Sequence, residues 1–268
     1  MQISNPTLSR VLTLLLATGL AIVAPSSLAQ GGRGPAMPTP RAPSLGGANA
    51  KLFGDNTAFT ADLQMQDSST ARPVTGKISF SDGKSRFELD MIKAAGEGLR
   101  DQDAASIKTM GMDTLVVINR PDQKVTKMLY PGLNAYVETA LPAVQSESPS
   151  KFKSESTPLG KETVDGHPCV KNKVVVTDDK GTKAESTVWN ASDLKNFPLK
   201  IEQTEASGKV TLTFNNLKLA KPADSNFETP ANARKYSDYN SLIQVEVMQR
   251  MMRGAGAGAR GGLTPPGR

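Results

Sequence analysis

Hydrophobic and polar residues alternate with period two through most of positions 57–219, the signature of half-buried β-strands. In Thr57–Gln66, Phe59, Ala61, Leu63 and Met65 share one face, and Thr60, Asp62, Gln64 and Gln66 the other. Val74, Ile78 and Phe80 share a face of the next strand. Asp82-Gly83 then marks a tight turn, because both residues tolerate positive φ. The returning strand presents Phe87, Leu89 and Met91. Further hairpins join Thr114–Arg120 to Lys124–Tyr130, Cys169–Thr177 to Thr182–Trp189, and Leu199–Glu205 to Lys209–Leu219. In the last strand Val210, Leu212 and Phe214 are in phase, but Leu217 and Leu219 change parity, which predicts a bulge at Asn215-Asn216. Shorter candidates are Asn134–Thr139, Lys151–Ser156 and Lys161–Val164.

Helical signals are few. Leu99, Ala104, Ile107 and Met110 fit one face of a helix over Leu99–Met112. Ser192–Asn196 allows one turn before Pro198. Ser237 is a candidate N-cap for a helix over 237–252, whose Tyr239, Leu242, Val245, Met248 and Met252 predict a stripe docked on the domain. The polar stretch Leu141–Ser150 divides the strands into two halves. The expectation is a mainly β fold: one curved antiparallel sheet forming an unclosed β-barrel of about eleven strands, with covering helices and a C-terminal helix.

Composition adds a compartment. Arg10, the largely apolar run Val11–Ala24, Pro25 and Ser27-Leu28-Ala29 read as a signal peptide over 1–29, cut near Ala29 and too short to span a bilayer. With no later apolar run of spanning length, the mature chain is expected to be periplasmic or secreted. Residues 30–50 read as a Gly/Pro-rich disordered leader, 51–236 as the half-barrel domain, and 253–268 as a basic Gly-rich disordered tail.

All 26 acids lie between 51 and 252, where 26 basic residues balance them. The net charge of +6 therefore belongs to Arg10 and to Arg33, Arg41, Arg253, Arg260 and Arg268 in the flanks. A neutral core argues against a nucleic-acid-binding fold. The flanking arginines are candidates for contact with an anionic envelope polymer or lipid.

Catalytic patterns are sparse. One His and one Cys exclude multi-His metal centres, multi-thiolate zinc sites and an internal disulfide. There is no Gly-x-Ser-x-Gly elbow and no phosphate-cradling loop, and no cofactor is implied. His167 sits in the turn Asp165-Gly166-His167-Pro168, with Cys169 two residues on. That spacing on a strand would put both side chains on one face, but a turn histidine and a small buried thiol are the ordinary readings. Asp178-Asp179-Lys180-Gly181 lacks the alternating acids of a calcium loop and reads as a hairpin turn.

The block Leu159-Gly160-Lys161-Glu162-Thr163-Val164-Asp165-Gly166-His167-Pro168-Cys169, followed by Val188-Trp189, Asp193-Leu194, Phe197-Pro198-Leu199-Lys200-Ile201 and Phe227-Glu228-Thr229-Pro230, resembles an exported bacterial domain family of unknown function. That family is similar to the periplasmic lipoprotein localisation factors. The resemblance implies an unclosed β-barrel with helical lids and a hydrophobic cavity for acyl chains. No lipoprotein-binding motif is identifiable, so the carrier activity itself is not implied. The expectation is a non-enzymatic envelope protein holding an acyl chain or lipid, with Phe59, Leu63, Phe80, Phe87, Leu89, Trp189 and Phe214 as cavity-lining candidates. The alternative is a structural protein tethered to anionic envelope components through its Arg-Gly tails.

Overall fold

The computed structural model describes residues 42–252 apart from 69, 71, 206, 207 and 251. The expected signal peptide, most of the expected leader, the expected tail after 252 and Arg33, Arg41, Arg253, Arg260 and Arg268 fall outside the described residues.

Alternation becomes a single twelve-stranded sheet. The first half is an antiparallel meander: β1 (Ala58–Asp67), β2 (Val74–Ser81), β3 (Lys84–Asp90), β4 (Thr114–Arg120), β5 (Val125–Tyr130) and β6 (Ala135–Ala140). The second half repeats the pattern: β7 (Lys153–Val164), β8 (His167–Thr177), β9 (Lys183–Ala191), β10 (Phe197–Glu205) and β11 (Gly208–Lys218). A short β12 (Arg234–Tyr236) comes last in the chain. The halves join where β11 pairs with β1, giving the order β12-β6-β5-β4-β3-β2-β1-β11-β10-β9-β8-β7. Turn chemistry closes the hairpins as the residues predict: Asp82-Gly83 and Asp165-Gly166 all take positive φ. Asn216 also has positive φ, and the β1–β11 register shifts beside it, so the bulge sits where the parity change places it.

Sheet curvature follows from chain length. Ten inter-strand spacings separate β6 from β7, roughly 48 Å along a sheet at ~4.8 Å each. The linker 141–152 contains the helical turn Ala143–Ser146 and the 3-10 turn Pro149–Lys151. At helical and extended rises it reaches only roughly 30 Å. The sheet must curl so that its second and last strands approach each other.

Several expectations are corrected. Lys151–Ser156 and Lys161–Val164 are one continuous strand, β7, kinked by a register shift between Pro158 and Gly160. The twelfth strand, β12, pairs parallel to β6; three residues are too few for alternation to be visible. The leader ends earlier than residue 50: Leu45 is buried, and Gly47–Phe53 form a 3-10 segment whose Leu52 and Phe53 enter the core.

The remaining elements cover the two faces. Met91–Ala95 form a short helix, α1, capped by the Asp90 carboxylate, so the strand stops before Met91, where alternation alone would carry it on. Asp101–Thr109 form α2, which buries Ile107 with Leu99, Ala104 and Met110 partly covered, as the pattern predicts. After β11 the chain straps across the outer face of the sheet. There Phe227 closes a small second core with Val116, Ile118 and Leu129. Arg120 fastens this strap by donating to the Phe227 carbonyl (3.2 Å) and to Glu228 (2.6 Å), while Asp122 holds its other edge (2.7 Å). The last element runs from Tyr239–Leu242 through a π-turn, Ile243–Val247, and continues as helix to residue 250. Its N-cap is Asp238, not Ser237: the Asp238 carboxylate accepts from the Ser241 N–H at 2.8 Å.

Candidate functional site

The concave face is filled. Phe53 projects from the segment 42–53 into a cluster formed by Phe59, Phe80, Phe197 and Phe214, with ring centroids 5.3–5.8 Å from its own. These rings come from β1, β2, β10 and β11, so the cluster sits at the seam between the two halves of the sheet. Phe59, Leu63, Phe80, Phe87, Leu89 and Phe214 are all buried in this core. They belong to one buried cluster, and side chains of this chain, Phe53 among them, occupy the space beside them.

Trp189 lies on the opposite face. Its neighbour Val188 pairs with Ile201 and Asn172, whereas Trp189 pairs with Lys200 and Lys171. Their ammonium groups sit 4.2 and 4.9 Å from the indole, and its Nε1 donates to Glu162 at 2.7 Å. The indole is sealed by cation–π contact and a hydrogen bond on the convex surface. The pair of hydrogen bonds from Trp189 and Lys171 holds the Glu162 carboxyl below its usual range.

An open space remains at one end of the concave side. A cleft of about 180 Å3 lies between the segment 42–53, the linker 143–152 and the β8–β9 hairpin. Its apolar walls are Ala48, Val144, Phe152, Val176 and Ala184; Asp178, Asp179, Lys180 and Lys183 stand around it. Close backbone approach builds one wall. Gly47 has a φ of 59°, and a Cβ there would lie 2.0 Å from the Val144 carbonyl oxygen, so only glycine lets the two segments meet. Behind the cleft, the Gln203 amide donates to Asn49 Oδ1 and to Ser186 Oγ, both at 3.0 Å, pinning the segment to β9 and β10.

The charged rim is partly committed to the fold. The Asp178 carboxylate accepts from the backbone N–H groups of Lys180 (2.9 Å) and Thr182 (2.7 Å), which holds its pKa below the usual range. This is the hairpin turn expected for Asp178-Asp179-Lys180-Gly181. Among the described residues no three His, Cys, Asp or Glu side chains are grouped as a metal site requires.

A second, larger groove of about 520 Å3 lies on the convex side, between the strap and β2–β3. Three of its charged residues are paired: Arg86 with Glu88 at 3.1 Å, and Glu228 with Arg120. Pro230 is the one apolar residue type among those that line it.

His167 and Cys169 do not form a nucleophile–base pair. His167 Nδ1 lies 2.7 Å from the Asp193 carboxylate, which it holds below the usual range. The Cys169 thiol is buried, its pKa is pushed up by desolvation, and it donates to the His167 carbonyl. A thiol held protonated is a poor nucleophile.

Periodicity missed the residues that anchor the segment beside the cleft and two of those that line it. Leu45, Leu52 and Phe53 are apolar positions in a Gly/Ala-rich stretch with no repeat, and Val144 and Phe152 stand singly in a polar linker. Their one signal is that each is a large apolar residue in otherwise small or polar surroundings.

No protein-family profile and no curated protein matches the chain. Solved structures similar to it include a lipoprotein of Mycobacterium tuberculosis (11% identity, 65% of this chain and 96% of that one, TM-score 0.36). A LolA superfamily protein of Nitrosomonas europaea is 10% identical over 68% of this chain and 94% of that one, with a TM-score of 0.35. MucB, solved in complex with MucA, is 17% identical over 70% of this chain and 61% of that one, also at 0.35. At such scores these similarities carry no argument about function, which rests on the residues described above.

Proposed function

We propose that the chain is an exported, non-enzymatic binding protein of the cell envelope that takes an acyl chain or similar apolar ligand into the cleft beside residues 42–53. One observation carries this reading: a cleft with apolar walls opens on the concave side of a sheet that is otherwise filled. It is bounded by the β8–β9 hairpin on one side and by the short covering segments 42–53 and 143–152 on the other, so entry can pass between those segments without breaking the sheet.

The driving force would be desolvation, about 0.8 kcal/mol for each methylene buried. At about 180 Å3 the cleft lies below the ~300–1,000 Å3 of drug-sized ligand sites. It would therefore grip one end of a chain, with the polar end left among Asp179, Lys180 and Lys183. The location in the envelope is supported by the signal-peptide pattern of residues 1–29. The non-enzymatic reading is supported by the burial of the Cys169 thiol, which pushes its pKa up.

The test is titration of the purified mature chain with a fluorescent fatty-acid probe, beside Ala184→Phe. Ala184 is half-buried in the cleft wall, so the larger ring fills the space from a residue outside the main core. Saturable binding by the natural chain and a loss of about tenfold or more in the variant support the site; tenfold corresponds to ~1.4 kcal/mol. No saturable binding, or equal binding by both proteins, overturns it.

A further inference from the structure

The terminal helix buries Leu242 and Val247 in the core but leaves three other apolar residues outside and takes a carboxylate inside. Val245, Met248 and Met252 are 38%, 52% and 69% exposed, while Glu246 is 3% exposed. Burial of apolar side chains alone does not account for a carboxylate inside and these three residues outside. The π-turn is the structural cause. Leu242 and Val247, five residues apart, both point inward, which shifts every later residue relative to an ordinary helix. The predicted stripe of Tyr239, Leu242, Val245, Met248 and Met252 is therefore split: its first two members face the domain and the last three face outward.

Glu246 fixes this orientation. Its carboxylate accepts from Arg234 Nη2 and from Tyr236 Oη, each at 2.5 Å. Both donors stand on β12, the short strand added parallel to β6. A buried carboxylate is tolerated only when it is paired and hydrogen-bonded. Here the pairing also locks the helix with its methionines outward. At the same end of the helix, Arg250 donates to the Gly132 carbonyl.

The segment C-terminal to the helix carries a defined charge. Residues 253–268 contain Arg253, Arg260 and Arg268 and no acid. An outward apolar face continued by an acid-free basic segment is the combination that favours an anionic lipid surface. Apolar side chains enter the acyl boundary, and each nearby arginine is attracted to anionic headgroups. Methionine suits this role because its unbranched, flexible side chain adapts to a fluid surface.

We propose that Val245, Met248 and Met252, together with the basic segment after them, dock the protein on an anionic phospholipid bilayer. Glu246 is the positioning residue that presents the apolar face. This surface is separate from the cleft, and its test does not depend on the cleft being occupied.

The experiment is flotation of the full mature chain with phosphatidylcholine vesicles, with and without phosphatidylglycerol, at low and high salt. Binding is expected only with phosphatidylglycerol and is expected to weaken with salt. Met248→Glu/Met252→Glu changes only exposed side chains and is expected to lose about tenfold or more in vesicle affinity, with its circular dichroism and unfolding midpoint unchanged. Replacing Arg253, Arg260 and Arg268 by Gln should weaken binding and flatten its salt dependence. Absence of binding to the anionic vesicles overturns the proposal, as does binding that the double methionine variant leaves intact. A concentration-dependent dimer of the natural chain that the double variant abolishes also overturns it, because a second copy would then cover the face.

Discussion

Phe53→Ala is the sharpest perturbation of the filled concave face. The ring is 1% exposed and touches four other phenylalanines, each on a different strand. Phe→Ala in a core costs ~3–5 kcal/mol, and the upper part of that range applies where the walls cannot collapse. Here the walls are hydrogen-bonded strands on both sides of the β1–β11 seam, so collapse would have to distort the sheet. The expected loss is about 4 kcal/mol, a large share of the ~5–15 kcal/mol that holds a domain together. For a domain of this size each kcal/mol shifts Tm by roughly 2–4 °C, which gives a fall of about 8–16 °C. Calorimetry and urea unfolding measure it, with Phe53→Leu as the near-isosteric control at roughly 1.5 kcal/mol or less. The vacated space should also admit benzene or xenon, which would raise the Tm of the alanine variant and leave the natural chain unchanged. A loss below about 1 kcal/mol, or no response to the small apolar probe, would refute the reasoning. Either result would mean that residues 42–53 do not sit in the concave face in solution.

Arg120→Met should loosen the outer strap at a cost of about 1–3 kcal/mol, because Asp122 and Glu228 are half exposed and regain water when the guanidinium is removed. Limited proteolysis should then cut between 219 and 233, and resistance equal to that of the natural chain would contradict the strap's attachment. Cys169 should be inert to a thiol reagent in the native protein and react once the chain is unfolded; rapid native-state reaction would reopen a nucleophilic role for it. Asp238, whose cap hydrogen bonds lower its pKa to about 2 from an ordinary value of 3.8, contributes stability that is fully present above the ordinary value and lost as pH falls through about 2. The protection of the Ser241 amide, relative to its intrinsic exchange rate at each pH, should fall across that window in the natural chain and stay level in Asp238→Asn, where a neutral cap accepts the same bond. An unchanged acid response in the variant would assign the transition to other carboxylates.

How much of the molecule is legible in its sequence depends on the range of the interaction that decides each feature. Strand periodicity, the Asp82-Gly83 and Asp165-Gly166 turns and the Asn215-Asn216 bulge are local. Each follows from steric preferences within a few residues, and the structure places each where the residues predict. Burial is legible for the same reason: Phe59, Leu63, Phe80, Phe87, Leu89 and Phe214 alternate with polar neighbours, which says that a face is buried but not what buries it. The side on which Trp189 lies is not legible, because buried residues occur on both faces of β9. Only its Lys171, Lys200 and Glu162 neighbours distinguish convex from concave.

The features decided by tertiary structure are those in which distant segments compete for one surface. Phe53 fills the interior because four aromatic residues from two hairpin systems converge on it, and no spacing within the sequence encodes that meeting. The cleft exists because Gly47 allows the segment 42–53 to press against Val144, far along the chain. The terminal helix buries only part of its apolar stripe. Its orientation is set also by a carboxylate that finds Arg234 and Tyr236 on a three-residue strand, and that strand forms only because β6 offers it a free edge. Periodicity determined that this protein is a long, half-buried sheet. Contacts between residues far apart in the chain determined what fills it, where it opens and which face it presents.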